Sequence, residues 1–228
     1  MLGLTYLIGI AGPSGAGKSY LAHHLAERLS APVLALDHYY RDLSHLPLEE
    51  RAQTNFDEPA ALEHDFLIAQ IKDLREGKTI DVPTYDFSVH TRSRETQSFQ
   101  PGDFVIIEGL FTLHWPELRN HLGTRVYVDM TDDVCLERRR ERDVRERGRT
   151  PQSVVEQFRT TVVPMAERYV RPTRVHADVV VFGSMPIADE VERVLQHIHA
   201  NLLDSVDRRS SRYGTGHLPH GHRITEKI

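Results

Sequence analysis

Residues Gly9–Tyr20 read GIAGPSGAGKSY, with Gly12, Gly15 and Gly17 followed at once by Lys18 and Ser19. The stretch follows an apolar run, Leu4–Ile10, and precedes Leu21, Leu25 and Leu29, whose four-residue spacing is the buried stripe of a helix. Strand, glycine turn, helix is the context that G-x-x-x-x-G-K-[ST] requires, and residues 12–19 fit that pattern at every position. Glycines let backbone N–H groups converge on a phosphate, and the helix N-terminus adds partial positive charge. Lys18 adds a full charge, and the Ser19 hydroxyl is a ligand for Mg²⁺. The nucleotide-binding set is Gly12, Pro13, Ser14, Gly15, Ala16, Gly17, Lys18, Ser19 and Tyr20. Such a segment holds a nucleoside triphosphate; what must be found is the acceptor of its phosphoryl group.

Working outward, Pro32–Leu36, Phe104–Ile107, Arg125–Asp129 and Asp178–Phe182 are further short runs rich in Val and Ile, each followed by turn residues and a helical pattern. This alternation predicts an α/β fold, a five-stranded parallel sheet with helices on both faces and ligands at the carboxyl edge. Residues 79–100 break the alternation and read as a projecting β-hairpin. The expected division is one P-loop domain over residues 1–206, with a helical lid near 136–150, and a disordered tail over 207–228 that lacks an apolar period. His217, His220 and His222 in that tail read as solvated, since no ligand set accompanies them.

The chain has 228 residues, 39% apolar and 27% charged, and a formal net charge of −5, which argues against a nucleic-acid partner. No run of 18 apolar residues predicts a membrane span, and no signal peptide is legible. With a single cysteine, Cys135, read as a small buried apolar residue, the expected compartment is the cytoplasm.

Phosphoryl transfer asks the protein for positioning, charge neutralisation and a carboxylate to accept a proton. Glu108 ends the strand of FVIIEGLF (104–111), where the sheet edge presents it beside Ser19 as a holder of Mg²⁺. Asp37 ends the second strand in PVLALDHYYRDL (32–43), at the same edge, where it serves either as a base or as a turn residue; Asp42 reads as a plain surface residue. A GTP switch needs Asp-x-x-Gly after the Glu108 strand and a later Asn-Lys-x-Asp, and neither is present.

The ordered set GPSGAGKS (12–19), LDHYY (36–40), NFDEP (55–59), VPTYDFSVHTR (82–92), IIEGLF (106–111), RRRERDVRERGR (138–149) and PTRVHADVVV (172–181) resembles the uridine kinase family, also called uridine-cytidine kinases, over about residues 5–203. The resemblance implies transfer of the ATP γ-phosphoryl group to the 5′-hydroxyl of uridine or cytidine, on a P-loop kinase fold that assembles as a homotetramer. It implies Asp37 as general base, Asp57 on the ribose hydroxyls, and Tyr85 and His90 on the base. In the lid it implies substrate contacts from Arg139 and Arg149, phosphate contacts from Arg142 and Arg147, and a nucleoside contact from Gln157.

Each position also has a plainer reading. Asp57 suits the first turn of a helix beginning near Pro59, His90 suits a hairpin, and arginines alternating with Glu141, Asp143 and Glu146 suit a solvated, salt-bridged helix ended by Gly148. Asp86 and Phe87 are expected to support the hairpin. FGSMPIADE (182–190) lacks a polar pattern for a donor base, which leaves ATP and GTP both open as donor. Competing functions are a phosphoribulokinase-like or pantothenate-kinase-like enzyme, which keeps the cradle without needing Tyr85 and His90, and a nucleotide-dependent switch.

Overall fold

A computed structural model describes residues 4–213, with side chains through Asp204. Strands β1 (Tyr6–Ala11), β2 (Val33–Ala35), β5 (Phe104–Glu108), β6 (Thr124–Asp129) and β7 (Val179–Phe182) form one parallel sheet in the order β2-β5-β1-β6-β7. Strands β3 (Ile80–Asp86) and β4 (Thr91–Phe99) pair antiparallel as a separate hairpin, inside the span predicted for it. Helices α1 (Lys18–Leu29), α2 (Leu48–Ala52), α3 (His64–Arg75) and α4 (Pro116–Arg119) precede the long α5 (Asp132–Arg147) and α6 (Pro151–Gln157). Then come a short α7 (Val163–Met165), set between two π-helical turns, and α8 (Ile187–Tyr213). Pro164 withholds an amide from the helical ladder, and π turns flank it on both sides.

Both faces of the sheet are covered, which is why its strands read as unbroken apolar runs. Side chains alternate across it. Leu7, Val105 and Ile107 enter one core with α3 residues Leu67, Ile71 and Leu74. Ile8, Ile10 and Ile106 enter the other, against Leu21 and Leu25 of α1 and Val191, Val194 and Ile198 of α8. Because β1 lies between β5 and β6, its carboxyl end opens at the centre of the sheet edge, where a crevice forms between connections that leave in opposite directions.

One boundary differs from expectation. Residues 207–213, assigned above to the tail, continue α8. No glycine or proline interrupts the chain between Ile187 and Tyr213, so nothing local stops the helix when its apolar period fades. Residues 214–228, with the three tail histidines, lie outside the described residues. Among the described residues, no helix is long and apolar enough to cross a membrane.

Candidate active site

The loop between β1 and α1 needs its glycines for two physical reasons. Gly12, Gly15 and Gly17 have φ of 147°, 86° and 108°, in the left-handed region that side chains disfavour. A Cβ at Gly12 would also lie 2.3 Å from the Val128 carbonyl oxygen, and one at Gly15 would lie 2.4 Å from that of Cys135. The loop is thus pressed onto the end of β6 and the start of α5. Arg138 secures it from outside, donating to the carbonyls of Ala16 (3.2 Å) and Gly183 (2.9 Å). Cys135 is fully buried, with burial pushing its thiol up to about 11, so it packs and does not react.

Lys18 is buried and its ammonium donates to the Pro13 carbonyl at 3.0 Å. Burial lowers its pKa, while Glu108 and Asp37 pull it back up. The Ser19 hydroxyl donates to Oε1 of Glu108 at 2.9 Å, which joins the first turn of α1 to the end of β5. Burial raises the Glu108 pKa, with Lys18 opposing. Among the described residues, no group of three or more His, Cys, Asp or Glu is arranged to hold a metal ion. A cation here would share the Ser19–Glu108 pair with ligand oxygens.

Asp37 sits in a 3-10 turn, Leu36–Tyr39, directly after β2. It lines the same cleft, of about 770 Å³, as Lys18, Ser19, Glu108, Asp57, Tyr85 and His90. Asp57 is 8% exposed, with Oδ1 3.7 Å from Nη1 of Arg139; burial raises its pKa and Arg139 lowers it. The Tyr85 hydroxyl is buried without a partner, an orphan polar group beside the cleft that only a ligand or water can satisfy. His90 adopts the left-handed conformation, φ 53°, and its ring stacks on Phe56 at 5.8 Å and 18°. Burial, then Arg147 and Arg149, lower the His90 pKa, so the imidazole is neutral at neutral pH.

The hairpin carrying these two residues is tied to the body next to its turn. Arg92 pairs with Glu63 at 2.6 Å, and Thr91 donates to Asp42 at 2.9 Å while accepting from the Leu43 amide at 2.8 Å. Asp42 is exposed, yet it is more than surface decoration, because it holds the hairpin. Asp86 accepts from the amide and hydroxyl of Ser88, which shapes the hairpin turn.

Helix α5 departs most from the plain reading. Arg139 is 6% exposed and Asp143 is fully buried, so one face of this arginine-rich helix is interior. Arg139 donates to Ser14 Oγ at 2.9 Å and to Gln157 Oε1 at 3.2 Å, and Arg149 donates to the same Gln157 oxygen. Arg142, Arg147, Arg149 and Gln157 also line the cleft, and the Arg147 guanidinium lies 5.0 Å above the Phe87 ring, bringing lid and hairpin tip together. Gly148, φ 61°, ends the helix as predicted.

Every predicted site residue except Gly12, Pro13 and Ala16 lines the cleft; those three are buried, and Tyr20 at the cleft remains 60% exposed. Sequence reading missed Tyr40, Phe56 and Arg138. Tyr40 and Phe56 flank named motif residues and pack on Tyr85 and on each other, a signal visible only once the hairpin is folded back.

The family model described as "Phosphoribulokinase / Uridine kinase family" matches residues 7–189. A uridine kinase of Staphylococcus epidermidis is 47% identical over 192 residues, covering 82% of this chain and 93% of its own length. A uridine kinase of Macrococcus caseolyticus is 44% identical over the same share of this chain and 93% of its own. Among solved structures, phosphoribulokinase from Rhodobacter spheroides superposes with a TM-score of 0.57 at 15% identity, covering 80% of this chain and 74% of that one, a likeness of fold.

Proposed function

The chain belongs to the phosphoribulokinase/uridine kinase family, and from that premise we propose that it transfers the γ-phosphoryl group of ATP to the 5′-hydroxyl of uridine, and of cytidine as a second acceptor. The observation that carries this reading is one cleft in which the phosphate loop faces both a carboxylate, Asp37, and an aromatic pocket with the orphan hydroxyl of Tyr85. Relatives named uridine kinase at 44–47% identity over most of the chain support it.

In this reading the nucleoside lies between hairpin and sheet edge. Asp57 accepts from the ribose cis-diol, and a sugar without the 2′-hydroxyl leaves that buried carboxylate partly unpaired. Tyr85 and His90 meet the base. A neutral imidazole donates or accepts, which suits either O4 of uracil or the N4 amine of cytosine. Asp37 takes the proton of the 5′-hydroxyl as its oxygen attacks the γ-phosphorus, the bond to the β-phosphate bridging oxygen breaks, and ADP leaves. Lys18, Arg142 and Arg147 neutralise charge on the phosphates, and Arg139, Arg149 and Gln157 close over the acceptor side. Covering the site excludes water, which directs transfer to the sugar alcohol.

Mg²⁺ fits the oxygen donors of Ser19 and Glu108, a hard set open to phosphate oxygens and water. When bound it supplies charge neutralisation at the phosphates. ATP is the proposed donor. The homotetramer and the cytoplasmic location rest on the family resemblance and on the lone buried thiol.

The test is an acceptor panel: protein, ATP and Mg²⁺ with uridine, cytidine, deoxyuridine, ribulose 5-phosphate or pantothenate, products read by chromatography. UMP and CMP are expected. Turnover of ribulose 5-phosphate or pantothenate without nucleoside turnover overturns the reading, and ATP consumption that ignores the nucleoside favours a switch.

A further inference from the structure

Behind the cleft lies a buried group to which no role has been given. Asp143 lies on α5 with no solvent exposure, and its carboxylate gathers four arginines. Arg142 meets Oδ1 through Nε at 2.9 Å and Nη2 at 2.8 Å, and Nη1 of Arg147 stands 3.6 Å from the same oxygen. On the other side, Nε of Arg139 is 3.4 Å and Nη1 of Arg149 is 3.7 Å from Oδ2. The backbone of the same residue anchors the helix end, where its carbonyl accepts from the amides of Gly148 and Arg149. All four arginines line the cleft, and they are the lid arginines of the proposed function.

We infer that Asp143 is the positioning residue of the lid: one buried carboxylate that holds four guanidiniums at fixed places over the phosphates and the nucleoside. The inference rests on that functional reading. Physically, four guanidiniums crowded at one helix end repel each other and splay into solvent unless a counter-charge sits between them. A single carboxylate removes only part of their charge, so the cluster remains cationic and keeps its affinity for phosphate. Only one of the four, Arg142, has short contacts to it. The longer separations of Arg147, Arg139 and Arg149 leave those groups oriented but able to exchange partners when an anion arrives. Neither of the neighbouring acids substitutes for Asp143. Glu146, half-exposed, forms its close ion pair with Arg145 at 2.5 Å and acts on Arg142 and Arg147 only at longer range. Asp57 forms an ion pair with Arg139 alone among the four, at 3.7 Å, with a longer-range effect on Arg142. Removing the Asp143 charge therefore loosens the whole set at once, which distinguishes it from the loss of any single arginine.

The experiment is a double-mutant cycle on UMP formation, run at a temperature where circular dichroism shows every variant folded. Asp143→Asn is expected to lower kcat by about 10- to 100-fold, the range for disordering preorganised charge at a phosphoryl centre. Arg147→Ala is expected to cost much less in the Asp143→Asn background than in the wild type, because there the arginine is already misplaced. If the two effects multiply, Asp143 does not act through Arg147 and the inference is overturned. Should Asp143→Asn fail to fold, Asp143→Glu keeps the charge and moves it by one methylene. It is then expected to stay folded with kcat lowered by about 10-fold, and wild-type kcat in that variant overturns the inference equally. Wild-type protein that makes no UMP in the same assay refutes the functional reading instead, so the two failures are distinguishable.

Discussion

The Ser19 hydroxyl donates to Oε1 of Glu108 over 2.9 Å, so the residue that closes the phosphate loop is bonded to the last residue of β5. Glu108→Gln keeps the size and the accepting oxygen of that group but removes its charge. If the pair holds Mg²⁺ at the phosphates, the Mg²⁺ concentration for half-maximal rate rises and activity falls, by about 10- to 100-fold as for groups that support a metal. A Mg²⁺ titration at fixed ATP checks this, and an unchanged requirement removes Glu108 from the metal site.

Asp37 follows β2 without an intervening loop, so the sheet itself sets its position in the cleft. A base acts on the chemical step and not on capture of the nucleoside. Asp37→Asn is expected to lower kcat by about 10²- to 10⁴-fold while uridine still binds, as calorimetry can measure. A variant with wild-type kcat refutes the assignment.

His90 lies between hairpin and lid, where burial and the charges of Arg147 and Arg149 keep its pKa below 6.5. The neutral ring therefore persists through the neutral range and takes up a proton only on the acid side of 6.5, where it meets two guanidiniums. The KM for uridine should stay flat from pH 8 to about 6.5 and rise below it, whereas His90→Gln, which has no proton to gain, should lack that rise. The Asp57 and Glu108 carboxyls also titrate in acid, with pKa values raised by burial, so the variant is the control that isolates the ring. Superimposable profiles exclude His90 as the titrating group.

How far the sequence alone leads is clear from particular residues. The parallel strands and their alternation with helices follow from local signals, a glycine loop after one apolar run and further apolar runs before helical stripes, whereas their order in the sheet does not. Gly148 ended its helix where expected because a left-handed cap is a local property. Burial on α5 was illegible. Its composition is that of a solvated helix, and Arg139 becomes interior only through its contacts with Ser14, Asp57 and Gln157, up to 125 residues away in the chain. The Phe56–His90 stack and the Asp42–Thr91 bond were hidden for the same reason, as both depend on where the hairpin folds back.

Glu190, in the first turn of α8, is 4% exposed, and burial pushes its carboxyl up to about 7 from an ordinary 4.5, with Arg138 opposing. Between those two values the folded protein holds a proton that the unfolded chain has released. The contribution of this group to stability is therefore full below 4.5 and is lost as pH rises through about 7. At pH 8 the wild type folds around an ionised, desolvated carboxylate, and Glu190→Gln relieves that cost; at about pH 4, below both values, it exchanges one neutral group for another in both states. Thermal melts are expected to show the variant more stable by about 7–14 °C at pH 8 and indistinguishable from wild type at about pH 4. An equal shift at both values would assign the change to packing and exclude ionisation of Glu190 as its cause.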